Sequence, residues 1–151
     1  MGYIIVADPD DKFYLEEYER DDIKKLQKLV NGYYEVMMTY TDFKIPEKDP
    51  ANIDILCNEE GIYVDTGYNN KVNAIATILK DEPIFGAVVF MKRDKFEYSD
   101  GSGYEEDLAG FEKEEAEYIK NGLFTKFSIK ENKELIKAVH SAWDGFKWTP
   151  N

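Results

Sequence analysis

Apolar residues fill positions 3–7 without a break and include Ile4, Ile5 and Val6, so the pattern predicts a strand there. Asp8-Pro9-Asp10-Asp11 reads as a turn, and the loose alternation over 12–19 predicts a second strand, which makes the first two elements a hairpin. Ile23, Leu26, Leu29 and Val30 then recur at helical spacing. Asp21 or Asp22 is placed to cap that helix at its start, and Asn31-Gly32 to end it. Strands are expected over 33–40 and 53–58, separated by a loop over 41–52 that carries Pro46 and Pro50. The chain turns at Glu59-Glu60-Gly61, and 72–79 reads as a short helix. The continuous apolar run 84–91 is expected to be the most buried strand. The acidic, glycine-rich stretch 99–107 reads as a loop. A helix is expected over 111–121, with Glu112, Glu114 and Glu115 in its first turn, Lys120 in its last and Gly122 just past its end. A strand over 124–129 and a helix over 131–143 complete the chain; Leu135, Ile136, Val139, Ala142 and Trp143 share one stripe of that helix. Strands and helices mix without strict βαβ alternation. The expected class is therefore α+β: a mixed or antiparallel β-sheet with about three helices packed on one face.

With 151 residues the chain has the usual length of one domain. We read residues 1–122 as the core of that domain and 123–151 as a strand–helix extension packed on it. The apolar fraction of 43% and aromatic fraction of 15% are enough for a substantial core, which excludes wholesale disorder. The single cysteine, Cys57, cannot form an internal disulfide and suits a reducing compartment. No basic segment precedes the first apolar run, and no stretch approaches the roughly 20 apolar residues of a membrane span. The expected location is cytoplasmic, with no membrane partner.

Charge sharpens this picture because it is uneven. The net charge is −12, yet residues 8–22 alone carry −6 and residues 94–117 carry −8, while 23–93 are close to neutral and 118–151 sum to +3. Direct binding to a nucleic-acid backbone needs a basic surface, so it is not expected. The acidic segments suit solubility or a basic partner.

Catalytic chemistry finds little support. Most nucleophilic triads need a histidine base, and the only histidine, His140, lies inside the last predicted helix, where it reads as a packing or surface residue. Cys57 falls in a predicted strand and reads as a buried structural thiol. One cysteine and one histidine cannot build a zinc site. The stretches beginning at Asp100 and Asp8 depart from the calcium-loop pattern where it needs glycine. No glycine-rich dinucleotide or phosphate loop is present, and carboxylate pairs carry no specificity without a cleft. No metal, cofactor or catalytic residue is expected, and the chain reads as non-enzymatic.

What remains is a binding constellation. Tyr33, Glu35, Asn58, Glu59, Asn69, Asn70 and Lys71 combine amides, aromatic faces and a cation around one hairpin-like unit. Amides and rings of this kind can read a planar base by hydrogen bonding and stacking, and Lys71 or Lys92-Arg93 can hold a phosphate. The same residues also fit ordinary turns tied by a Glu35–Lys71 ion pair.

These blocks carry a resemblance. The run from Leu26 to Val36, then Ile55-Leu56-Cys57-Asn58-Glu59-Glu60-Gly61, then Asn69-Asn70-Lys71, then Ile84-Phe85-Gly86-Ala87-Val88-Val89 occur in an order that resembles a family of short proteins catalogued as a domain of unknown function. Its members occur in bacteriophages, plasmids and conjugative elements, mostly of Gram-positive hosts. The resemblance spans roughly residues 1–120. This chain has Asn31-Gly32 where the family usually shows Gly-Gly, and Asn70-Lys71 where it usually shows Asn-Arg; lysine loses the bidentate anion contact of arginine. The resemblance implies a mobile-element accessory protein in the host bacterial cytosol. By analogy with small phage proteins that lack catalytic machinery, it implies action by sequestration. The expected partner is a small nucleotide-type host defence signal bound by a homo-oligomer. The rival expectation is an acidic DNA-mimic that occupies a basic, nucleic-acid-binding host protein.

Overall fold

Val88, Val89, Phe90 and Met91 are buried in succession, so a strand formed here presents apolar side chains to both faces of its sheet and needs cover on each. The computed structural model describes residues 1–48, 51–60 and 71–144. In chain order its elements are β1 (Gly2–Ala7), β2 (Phe13–Tyr18), α1 (Ile23–Val30), β3 (Tyr34–Phe43), β4 (Ala51–Asn58), α2 (Ala74–Lys80), β5 (Val88–Glu97), β6 (Tyr104–Ala109), α3 (Lys113–Ser128) and α4 (Lys130–Trp143). The six strands form one antiparallel sheet in the order β2-β1-β5-β4-β3, with β6 also paired to β5. The fold is α+β, as expected, with four helices among the described residues.

The helices lie on both faces rather than on one. Ile4, Val6, Leu56, Val89 and Met91 pack on one side against Leu26 and Val30 of α1. Ile5, Ala7, Ile53, Ile55, Val88 and Phe90 pack on the other against Ile75 of α2 and Ala116, Ile119, Leu123 and Phe127 of α3. Alternation along each strand sends successive side chains to opposite faces, so three apolar strands side by side demand both covers.

Three expected elements differ. The strand expected over 84–91 begins later and runs on to Glu97; Gly86 has φ 86°, and Phe85 makes only an isolated bridge with Val72. The stretch expected as a loop over 99–107 is largely strand β6. Its carboxylates stand opposite the polar half of β5, with Glu106 directly across from Lys95, and a cross-strand pair of opposite charge favours pairing. The strand expected over 124–129 is helix: α3 continues through Gly122 to Ser128, so residues 122 and 123 lie inside one helix. Ala116, Ile119, Leu123 and Phe127 form a helical stripe that buries, and this outweighs the roughly 1 kcal/mol cost of an exposed mid-helix glycine.

Two backbone features set the frame. Asn73, fully buried, donates from Nδ2 to the carbonyls of Ala7 (2.9 Å) and Gly86 (3.0 Å), and its Oδ1 accepts from Ala76 N at 3.0 Å. One amide thus ties the end of β1 to the entry of β5 and caps α2. At the other end, β1 crosses the chain leaving β6. Tyr3 and Phe111 exchange backbone hydrogen bonds of 2.8 and 2.7 Å, and a Cβ on Gly110 would lie 2.7 Å from the Gly2 carbonyl carbon and the Tyr3 nitrogen. Gly110→Ala is therefore expected to destabilise the fold by about 1–3 kcal/mol, read as a lower urea midpoint; an unchanged midpoint would show that the crossing has room to spare.

Candidate functional site

Tyr33, Glu35, Asn58 and Glu59 gather at one end of the sheet, where β3 begins and β4 ends, but the Asn58 amide is committed to the backbone. Asn58 Nδ2 donates to the carbonyls of Val30 (3.2 Å) and Asn31 (2.9 Å), and its Oδ1 accepts from Glu60 N at 2.8 Å. It closes the C-terminus of α1. Gly32 is needed beside it, because a Cβ there would meet Asn58 Nδ2 at 2.5 Å. The carbonyl of the exposed Tyr33 accepts from Glu59 N at 3.0 Å. Glu35 stands opposite Cys57 across the ladder, and the thiol makes a long 3.9 Å contact to its carboxylate. Burial, reinforced by Glu35, pushes the Cys57 thiol up to about 12, so it stays protonated and is no nucleophile. The Lys71 ammonium lies 3.7 Å from Asp10, near the far end of β1. Asn69 and Asn70 lie outside the described residues.

A concave site lies elsewhere among the described residues. A cavity of about 690 Å³ lies between the β1–β2 turn and the helical hairpin α3–α4, a volume that suits a drug-sized or nucleotide-sized molecule. Phe13, Ile75, Phe124, Phe127 and Ile136 give it an apolar lining. The Phe13 and Phe127 rings meet at 6.3 Å, tilted by 34°. Lys133, Lys137, His140, Ser141, Ser128 and Asp11 supply the polar groups.

Local sequence builds each wall. Asp8 Oδ1 accepts from the nitrogens of Asp10 (2.9 Å) and Lys12 (3.0 Å), folding the turn that delivers Asp11. Asp11 adopts a left-handed conformation, φ 65°. Between the last two helices stands a single residue, Ile129, with ψ 151°, so α4 folds back directly from α3. Asn132 Nδ2 donates to the Lys126 carbonyl at 2.7 Å across this elbow. Along α4, Lys133, Lys137 and His140 recur at i, i+4 and i+7, which puts them on one helix face. No residue of α4 is fully buried, so the helix rests on the domain rather than inside it.

His140 closes the arrangement. Its Nε2 lies 2.9 Å from Asp11 Oδ2 and its Nδ1 3.0 Å from Asp144 Oδ2. Both nitrogens face carboxylates, and only the imidazolium can donate to both. Burial works to lower the His140 pKa, but hydrogen bonds to Asp144 and Asp11 outweigh it and hold the pKa above its ordinary value. Burial raises the Asp11 pKa; the His140 contact opposes this, and Asp8 and Asp10 add to it. The sequence reading made His140 a packing or surface residue. The structure adds that it is joined to Asp11 across 129 positions of chain. The signal available in the sequence was the recurrence of three cationic or ionisable residues on one helix face, in a chain whose cations are otherwise outnumbered. Among the described residues, no group of three or more His, Cys, Asp or Glu is placed to hold a metal, and no helix is long and apolar enough to cross a membrane.

Two outcomes follow from these contacts. Asn58→Ala should cost about 2 kcal/mol, because it strands the α1 carbonyls; chemical unfolding measures it, and a loss near zero would mean that water replaces the amide. The His140 pKa is raised on folding, so its contribution is full below the unfolded value of 6.5 and is lost as pH rises through the folded value. Unfolding free energy of the native chain should therefore fall with pH above 6.5 more steeply than that of His140→Gln; parallel curves would deny the linkage.

No curated protein and no solved structure matches the chain. The order of blocks seen in the sequence nevertheless has a family behind it: the chain belongs to the family described as Domain of unknown function (DUF3846), which it matches over residues 1–109.

Proposed function

We propose that this protein binds, and does not turn over, a small planar anionic ligand of nucleotide type in the cavity between the β1–β2 turn and α3–α4, and acts by holding that ligand away from other proteins. The observation that carries this reading is a cavity of about 690 Å³ with an aromatic lining and a cationic rim in a chain of net charge −12. Phe13, Phe124 and Phe127 offer faces for stacking, Lys133 and Lys137 offer charge to an anion, and Asp11 and the serines offer hydrogen-bonding groups. The acidic surroundings disfavour polyanions such as nucleic acid while leaving a small anion access to a local positive rim.

The family match ends at residue 109, whereas Phe124, Phe127, Lys133, Lys137 and His140 lie beyond it. Ligand choice in this reading therefore belongs to this chain's own C-terminal hairpin, seated on a sheet common to the family. The resemblance to proteins of phages and other mobile elements supports the role of an accessory protein that sequesters a host defence signal in the bacterial cytosol. Exposed Phe124, Ile129 and Leu135 are compatible with the homo-oligomer in this proposal. The acidic-decoy alternative has less support. Arg20 pairs with Glu105 and Asp107, and Arg93 lies at 4.0 Å from Glu106, so β6 carboxylates that a phosphate mimic needs are already engaged.

Titration calorimetry against a panel of mononucleotides, cyclic nucleotides and ADP-ribose derivatives tests the proposal. At least one is expected to bind with a micromolar or lower dissociation constant, about −8 kcal/mol or better, and Lys133→Glu/Lys137→Glu should abolish it. Absence of heat across the whole panel sinks the nucleotide reading, and turnover of any member sinks the non-enzymatic one.

A further inference from the structure

The rim of the cavity already holds an anion, and it is the protein's own. Lys133, Lys137 and His140 line the cavity from one face of α4. His140 has both N–H groups engaged: Nδ1 by Asp144, one turn along the same helix, and Nε2 by Asp11, from the β1–β2 turn. The two carboxylates are not equivalent. Asp144 is carried by the end of the helix that bears His140. Asp11 reaches in from another element at a cost on two counts. Its carboxylate is partly buried, and Asp8 and Asp10 crowd it with like charge.

An oxyanion brought in by a ligand would meet the same imidazolium, with Lys133 and Lys137 on the same helix face to offset the carboxylates nearby. We propose that His140, Lys133 and Lys137 form a phosphoryl subsite at the mouth of the cavity, which Asp11 occupies as an internal stand-in until the ligand's own oxyanion displaces it. This rests on the binding reading above and assigns the two ends of the ligand: the phosphoryl group at the α4 rim, the flat ring on the side of Phe13 and Phe127. Displacement also frees the β1–β2 turn from α4, so the protein opens where the ligand enters. A competitor tethered inside the protein lowers apparent affinity by the fraction of molecules in which it is bound.

Pyrophosphate tests the subsite alone, because it lacks a ring. His140 is the only histidine, so its imidazole proton resonances are unambiguous in the full-length chain. In mildly acidic buffer, pyrophosphate is expected to shift those resonances. Asp11→Asn should tighten pyrophosphate binding about tenfold, as removal of a stand-in present in roughly nine molecules of ten would do. Asp100→Asn removes the same charge at the β5–β6 turn, the far end of the sheet from the cavity, and should change the affinity less than about twofold. Lys133→Ala/Lys137→Ala should lose binding. If Asp11→Asn fails to fold, Asp11→Gly makes the same comparison with a residue suited to φ 65°. Unmoved His140 resonances, or Asp11 variants that bind pyrophosphate no tighter than the native chain, overturn the proposal. An uncharged apolar dye, N-phenyl-1-naphthylamine, reads the cavity separately. Dye binding without pyrophosphate binding removes the subsite and keeps the cavity; pyrophosphate binding without dye binding keeps the subsite and removes the aromatic site.

Discussion

Everything in this fold follows from the burial of three neighbouring strands on both faces. Ile4, Ile5 and Val6 in β1, Ile55 and Leu56 in β4, and Val88 through Met91 in β5 point alternately up and down, and none is more than 1% exposed. A sheet with such a centre cannot leave either face to water, since each large side chain is worth about 1.5–3 kcal/mol on burial. α1 covers part of one face. α2 is only seven residues long and covers part of the other. The rest of that face is covered by α3, whose Ala116, Ile119, Leu123 and Phe127 join the main core. α3 is thus an integral part of the core, although the family match ends before it begins.

This requirement also creates the cavity. α3 buries five residues, but α4 buries none. The elbow at Ile129 brings α4 back over the edge of the core, where it bridges to α2 and the β1–β2 turn without filling the space beneath. A second hollow of about 380 Å³ lies on its other side, between Leu135, Val139 and Trp143 and the end of α2. α4 is joined to the rest of the domain by the Asp11–His140 pair, the Phe85–Trp143 edge contact at 6.2 Å and the packing of Ile136 on the main core.

The central strands, α1, α2 and the last helix could be read from the sequence because short-range signals marked them: β-branched runs, a cap at Asp21 or Asp22, the apolar run over 72–79, and an apolar stripe in α4. β6 could not, because its pattern is acidic and lacks the apolar or β-branched run that marks a strand; what holds it is pairing with the polar half of β5, the strand just before it. The end of α3 was misread because Phe124 and Phe127 fit a strand as easily as a helix, and the deciding contacts are tertiary. The site divides in the same way. Tyr33, Glu35, Asn58 and Glu59 stand together because β3 pairs with β4, yet Asn58 is spent on the end of α1. Lys71 lies beside Asp10, towards the cavity. The Asp11–His140 pairing could not be anticipated, since neither residue carries any local sign of the other.

The central claim is that the ligand site is the cavity beneath α4, not the cluster around Tyr33. Backbone amide NMR on the full-length chain, titrated with the nucleotide that binds best, tests it most directly. The expected result is that shift changes concentrate on the β1–β2 turn around Asp11 and Phe13, the end of α3, and the face of α4 bearing Lys133 and Lys137. Changes centred instead on Tyr33, Glu35 and Glu59, with α4 undisturbed, would contradict it.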